Sequence, residues 1–346
     1  MKRVFTLACI AVASSSFAPP PIGTADTFSD LTLMGWGGGA SPTVVASGGP
    51  AGTGDPFLQI TGAGGIGGIG AVPATFNTVQ WTGDYSAAGV KAVSIDFKNF
   101  SGSVPLSMRS VFIGAGGTRY SSNYFHQIPA NSGWQRVYFP IRQDLFTNVT
   151  GAETWAQVMS ACSNYHIRNA TTNGSGGTPA AATLGMDNIT PLASIPIVPT
   201  AIEITSGTFF GGDLNSVRMS DNDHYFILCD EATPKGGLLV TANPSGVPNA
   251  TYSALQYRIE HSATRADLVL FIALKNYTTN TYVTVNNVVT SLTDTVVSGQ
   301  SNLGANVIGS NPVRVEARLQ WFPQEDLVAE DGWSMKIDEV HWEIVP

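Results

Sequence analysis

Two segments of the chain mix aromatic rings with hydrogen-bonding side chains at close spacing. Gln80-Trp81-Thr82-Gly83-Asp84-Tyr85 reads as a turn, and Arg119-Tyr120-Ser121-Ser122-Asn123-Tyr124-Phe125-His126 reads as a passage from loop to strand. Rings left in water at such places call for a ligand, so Trp81, Tyr85, Tyr120 and Tyr124 are candidates to stack on one. Asp84, Arg119, Asn123 and His126 would bond its polar groups. The alternative for each ring is a core anchor, the default place for an aromatic side chain. A third polar cluster, Ser220-Asp221-Asn222-Asp223-His224-Tyr225, invites a metal. It lacks the glycine and the distal Glu of a calcium loop, so it reads as a turn leading into a strand.

Reaction chemistry finds less support. Retaining glucanases on jelly rolls use a strand motif of alternating carboxylates, Glu-x-Asp-x-Glu, that share one face. The nearest approach is Lys336-Ile337-Asp338-Glu339-Val340, with Lys at the nucleophile position and Val at that of the acid. There is no Gly-x-Ser-x-Gly elbow, no His-Glu-x-x-His and no Cys-His pair with an orienting acid. His126, His166, His224, His261 and His341 lie far apart along the chain. The Gly62 to Gly70 run contains a formal GxGxxG, but Pro73 and a β-like stretch follow in place of a helix, so it reads as a rim loop. No catalytic residue is therefore assigned.

The elements that must position these groups are strands. Charged residues make up only 12% of 346 residues while Gly numbers 37, a profile of strands joined by many tight turns. At that length two domains are the default. Residues 26–195 carry seven basic and eight acidic side chains, and residues 196–346 carry eight and seventeen. An acidic surface without a basic stripe disfavours nucleic acid and anionic membranes, whereas acid-rich loops suit calcium. Lys2-Arg3, the apolar run from Val4 to Ala13 and the small residues behind it read as an export signal over residues 1–25, cut before Asp26. No later run reaches the roughly 18 apolar residues of a membrane span. Cys162 and Cys229 fall one in each half, and two buried thiols are expected over a disulfide between the halves.

Alternating or continuous β-type runs recur at 57–61, 93–97, 106–113, 134–141 and 182–189, and beyond them at 255–261, 267–274, 281–289, 313–322 and 334–344. Residues 152–161 place Trp155, Val158 and Met159 at helical spacing, which predicts a short helix. Three prolines between Pro191 and Pro199 argue against a regular ladder there. The expected fold class is all-β, two tandem antiparallel β-sandwich domains of jelly-roll type after a signal peptide. They span residues 26–192 and 200–346, with a Pro-rich linker at 193–199.

The first half resembles the jelly-roll carbohydrate-binding modules of the galactose-binding-like fold. The resemblance rests on Asp26-Thr27-Phe28 with Gly35-Trp36, on Gly54-Asp55-Pro56-Phe57-Leu58-Gln59-Ile60, and on Leu184-Gly185-Met186-Asp187-Asn188-Ile189. It implies a polysaccharide or glycan as the partner of the rings named above. It also implies a structural Ca²⁺ held by Asp26 or Asp30, Asp55 and Asp187, although Ser29 stands where such modules commonly carry Glu. The second half resembles an uncharacterised β-sandwich domain of secreted bacterial proteins, through Gly211-Gly212, the Ser-Asp-Asn turn at Ser220 and Ile337-Asp338, and no activity comes with it. The expectation is thus a secreted, non-catalytic, carbohydrate-binding or carbohydrate-associated protein. The alternatives are an extracellular structural or adhesive protein with a cell-surface protein partner, and a hydrolase with an unrecognised site.

Overall fold

A computed structural model describes residues 18–68, 70–229, 235–324 and 332–346. Residues 1–17 of the expected export signal at 1–25 lie outside them. The first half begins with β1 (Trp36–Gly37), β2 (Thr43–Val45), β3 (Phe57–Ala63), β4 (Ala74–Asn77), β5 (Ala92–Asn99) and β6 (Leu106–Gly114). It continues with β7 (Arg119–Ser122), β8 (His126–Ile128), β9 (Gln135–Pro140), β10 (Phe146–Thr150), α1 (Trp155–Ser160), β11 (Cys162–Asn169) and β12 (Ala181–Leu192). Seven strands form one sheet in the order β1-β4-β11-β6-β7-β10, with β8 also on β6. The facing sheet runs β2-β3-β12-β5-β9. All pairings are antiparallel, and the two sheets enclose a core of Phe97, Phe112, Tyr165, Leu184 and Met186, with β6 buried along its whole length.

The sequence dictates α1 locally. Thr154 accepts from the Gln157 amide while Gln157 accepts from the Thr154 amide, a reciprocal cap that ends the preceding turn and starts the helix. Val158 and Met159 then fall on its buried face.

The second half contains β13 (Ile195–Ile197), β14 (Ala201–Ser206), β15 (Thr208–Gly211), β16 (Tyr225–Cys229), β17 (Gly236–Ala242) and β18 (Ala254–Ala263). After them come β19 (Leu268–Asn276), β20 (Thr281–Val289), β21 (Thr295–Ser301), α2 (Gly304–Val307), β22 (Val315–Pro323) and β23 (Trp333–Val345). Its sheets run β15-β16-β23-β18-β21, with β13 on β23, and β14-β17-β22-β19-β20. The fold class is therefore all-β, two antiparallel sandwiches in tandem.

Two local readings need correction. The proline-rich stretch does carry a ladder, since Ile195 and Ile197 pair with Ile344 and Trp342. Pro196 is tolerated because β13 is a short edge strand with a free side. The glycine run 62–70 is part strand, since β3 reaches Ala63 before the chain turns back and the Ala63 amide meets the Gly70 carbonyl at 2.8 Å.

The halves also touch. The Tyr138 amide donates to the Gly246 carbonyl at 2.8 Å, and Ala92 and Tyr138 join the buried cluster of the second sandwich. Gly246, at φ +72°, lies against the Arg136 carbonyl where any Cβ would collide. Cys162 and Cys229 are buried in separate cores and are not joined to each other.

Candidate functional site

The alternation of β11 decides which of its side chains lie on the face of the seven-stranded sheet turned away from the core. Tyr165 and Ile167 point into the core, so Asn164, His166 and Arg168 share the opposite face. On β6 the same argument turns Met108 and Phe112 inward and leaves Arg109, Val111 and Ile113 outward. Register then assembles the face: Arg168 is opposite Arg109, His166 opposite Val111 and Phe76, and Arg119 opposite Ile113. Phe76 stacks on His166 with ring centroids 4.9 Å apart and so fixes the imidazole plane.

Backbone carbonyls from two loops bind the cations of this face. Arg109 donates through Nε to Ala170 at 2.8 Å and through Nη1 to Ser122 and Tyr124 at 2.5 and 3.0 Å, and its guanidinium lies 5.3 Å from the centre of the exposed Phe125 ring. Arg168 donates to Ser175 at 2.6 Å and also to Gly174. Arg119 reaches the same Ser175 carbonyl at 3.1 Å. Loop 171–177 is closed at its base by the Thr171 and Thr178 hydroxyls, 3.1 Å apart, and tied across by Asn173 Nδ2 to Asn123 Oδ1 at 3.0 Å.

Three side chains in a row on this strand keep a buried polar atom without a partner: Asn164 Oδ1, His166 Nε2 and Arg168 Nε. Such atoms are uncommon in folded proteins and mark a place where a ligand or water completes the bonding. Burial, then the charges of Arg119 and Arg168, push the His166 pKa down to about 3, so the imidazole is neutral. Burial, then Arg119 and Arg109, push Arg168 down to about 10.

The predicted ring platform is not there. Trp81 and Tyr85 are fully enclosed in the core, Trp81 donating its indole N–H to Asp26 and Tyr85 its hydroxyl to the Trp81 carbonyl. Tyr120 is buried with its hydroxyl on the Glu153 carbonyl, and Tyr124 stacks on Phe139 between the sheets. His126 is buried on the Tyr138 carbonyl, its pKa pushed down to about 4 by burial. These rings face inward because the core is the larger apolar sink. Asp84 caps its own turn at the Ala87 amide, 2.7 Å, and lines a separate cleft with Thr82, Ser160 and Ser163. Of the expected ligand-binding residues, Arg119 and Asn123 are at this face. Arg109, Phe125, Asn164, His166 and Arg168 also lie here; the polar-apolar alternation of residues 163–168 signals the outward placement of Asn164, His166 and Arg168, whereas nothing local signals that of Arg109 and Phe125.

The expected calcium ligands do not converge as a set. Asp26 accepts from the indoles of Trp36 and Trp81 at 2.7 and 2.8 Å and from Gln80 at 2.7 Å, which fills its carboxylate. Asp30 is exposed and spent on Thr32 in its own turn. Asp187 differs. It is fully buried, Oδ1 accepts from the Asn188 amide at 2.8 Å and Oδ2 has no partner. Burial, then the neighbouring Asp55 and Asp96, raise its pKa to about 7. Asp96 itself is held by Arg136 through bonds of 2.8 and 2.7 Å, and Asp55 accepts from the Ala51 amide at 2.7 Å. Among the described residues no three His, Cys, Asp or Glu side chains gather as a metal cage.

In the second sandwich the 220–224 segment forms the expected turn into β16. Asp338 Oδ1 accepts from the amides of Asp221 and Asn222 at 3.3 and 3.1 Å, and His224 sits 3.2 Å from Asp294. An open cleft of about 450 Å³ on the outer face of β18, β21 and β23 is lined by Tyr257, Arg258, Gln300, His341 and Glu343. No helix among the described residues is long and apolar enough to cross a membrane.

No protein-family model matches the chain, and no curated protein does. Among solved structures it is similar to a tandem of family 22 carbohydrate-binding modules from Paenibacillus barcinonensis Xyn10C, at 13% identity and a TM-score of 0.34, over 95% of this chain and 100% of that one. It is similar to the family 11 module of Clostridium thermocellum in complex with a β-1,3-1,4-mixed-linked tetrasaccharide, at 16% identity and 0.31, over 46% of this chain and 90% of that one. It is also similar to an exo-β-agarase at 11% identity and 0.35, over 47% of this chain and 24% of the agarase.

Proposed function

We propose that the chain is an exported, non-catalytic carbohydrate-binding protein whose sugar site is the outer face of β11, β6 and β7. The observation that carries this reading is the row of unpartnered polar atoms on Asn164, His166 and Arg168. Sugar hydroxyls both donate and accept, so one saccharide can satisfy the Asn164 oxygen, the imidazole nitrogen and the guanidinium together. Phe125, 42% exposed at the edge of the face, offers a ring to the C–H side of a pyranose. The second sandwich is the companion domain.

A structural Ca²⁺ fits Asp187 in one respect: a buried carboxylate oxygen without a partner is a hard donor awaiting a cation. Asp187 and Asp55 would hold it, with backbone carbonyls and water completing the shell, and its charge would offset the repulsion that raises Asp187.

The test is retention of the full-length chain on a panel of immobilised polysaccharides. Retention on at least one, lost in both Phe125→Ala and His166→Ala with unfolding midpoints unchanged, is the expected result. Retention unaffected by both variants would remove the face from consideration.

One observation favours the adhesive reading. Phe209 and Phe210 are 52% and 66% exposed on the edge strand β15, an edge open to pairing with another protein. Concentration-dependent self-association abolished by Phe210→Lys would support it.

A further inference from the structure

The charge on the proposed sugar face is unlike that of the rest of the molecule. The protein carries a net charge of -8, and residues 26–195 hold seven basic side chains. Three of those seven, Arg109, Arg119 and Arg168, lie on this one face. Among the described residues none of the three has a carboxylate within 4.0 Å. Four of the eight acids of this half are engaged elsewhere: Asp96 with Arg136, Asp144 with Arg142, Glu153 with the Gly116 and Thr118 amides, Asp26 with two indoles.

Burying a guanidinium without a counter-charge is unfavourable, and Arg109 and Arg168 are each only 4% exposed. What they have in place of an anion is a set of neutral carbonyls. Ser175 O accepts from Arg119 Nη1 and Arg168 Nη1 at once. Arg168 Nε is buried without a partner, and the bond recorded for the half-buried Arg119 among the described residues is the one from Nη1 to Ser175. A carboxylate or sulfate offers two or more coplanar or splayed oxygens to such paired forks and returns charge-assisted bonds, roughly twice as strong as those to a carbonyl. His166, kept neutral by burial and then by its cationic neighbours, does not compete for that anion and is left to bond a hydroxyl.

We propose that the glycan bound on this face is anionic, a polysaccharide bearing carboxylate or sulfate groups, with Arg119 and Arg168 as the pair that receives the charge. This rests on the reading of the face as a sugar site. A net-negative protein is repelled by a polyanion at long range, so attachment to one requires a local site and cannot come from bulk attraction.

Affinity electrophoresis of the full-length chain through matched gels tests it. Polygalacturonate is set against its fully methyl-esterified form, and κ-carrageenan against the same polymer desulfated. Retention at least about tenfold stronger on a charged gel than on its neutral counterpart is expected, falling with added salt. The first pair reports a carboxylate and the second a sulfate. Arg119→Gln, at a half-buried position outside the core, is expected to weaken retention about tenfold without moving the unfolding midpoint. Equal retention on charged and neutral gels, or an Arg119→Gln variant that binds like the parent, would overturn the anionic assignment while leaving a sugar site. No retention on these gels or on the neutral panel above would overturn both.

Discussion

Arg119 and Arg168, 49 positions apart in the chain, donate to one and the same oxygen, the Ser175 carbonyl, at 3.1 and 2.6 Å. Two like charges are thereby brought together over a neutral acceptor, and loop 171–177 is the strap that acceptor belongs to. Arg168→Met keeps the apolar stem and removes the charge. The lost bonds to Gly174 and Ser175 are offset in part by relief from Arg109 and Arg119, so the cost in urea denaturation should be under about 1.5 kcal/mol. Limited proteolysis within 171–177 should rise. Unchanged cleavage would show that the Thr171–Thr178 base holds the loop by itself.

Asp187 links stability to pH in the direction opposite to a salt-bridged acid. Its folded pKa of about 7 exceeds the 3.8 of the unfolded chain, so the folded state holds the proton more tightly. The stabilising proton is fully bound below pH 3.8 and is lost as pH rises through 7. Asp187→Asn should be stabilising at pH 8 and near neutral at pH 4 in chelator-treated buffer. Added Ca²⁺ should raise the parent's midpoint more at pH 8 than at pH 5, because protons compete for the same oxygen. A calcium effect that persists in Asp187→Asn would place the ion elsewhere.

Asp26 anchors two indoles. Replacing it with Ala leaves the Trp36 and Trp81 N–H groups buried without an acceptor and should cost about 3 kcal/mol or more. Chemical denaturation measures it, and a loss below 1 kcal/mol on the same scale would mean that water replaces the carboxylate.

His261 is fully buried beside Trp321, and neither ring nitrogen has a partner. Burial lowers its pKa to about 4 from 6.5, as it does for His126. The neutral form belongs to the fold, so stability is complete above 6.5 and falls as pH drops toward 4, by up to about 1.4 kcal/mol per pH unit for each group. His261→Leu should flatten that limb. An unchanged acid limb would assign the loss to other groups.

Local information determined much of the molecule. The alternation in 313–322 became β22, the Thr154–Gln157 reciprocal cap set the start of α1, and the turn at 220–224 led into β16 as its polar residues required. Such features depend on neighbours a few residues away, and a side-chain pattern records them directly. The direction of each ring in an irregular segment was beyond that reach. Trp81 and Tyr85 stand in a turn, where no strand period dictates a face, and the nearest large apolar volume took them. Arg109, Arg119 and Arg168 look unremarkable one at a time. Only antiparallel register, which sets Arg168 beside Arg109 and Arg119 beside Ile113, on strands that carry no acid, gathers them on one face. Which face meets the core and which charges end up without a counter-ion are sums over strands distant in sequence, and folding alone performs them.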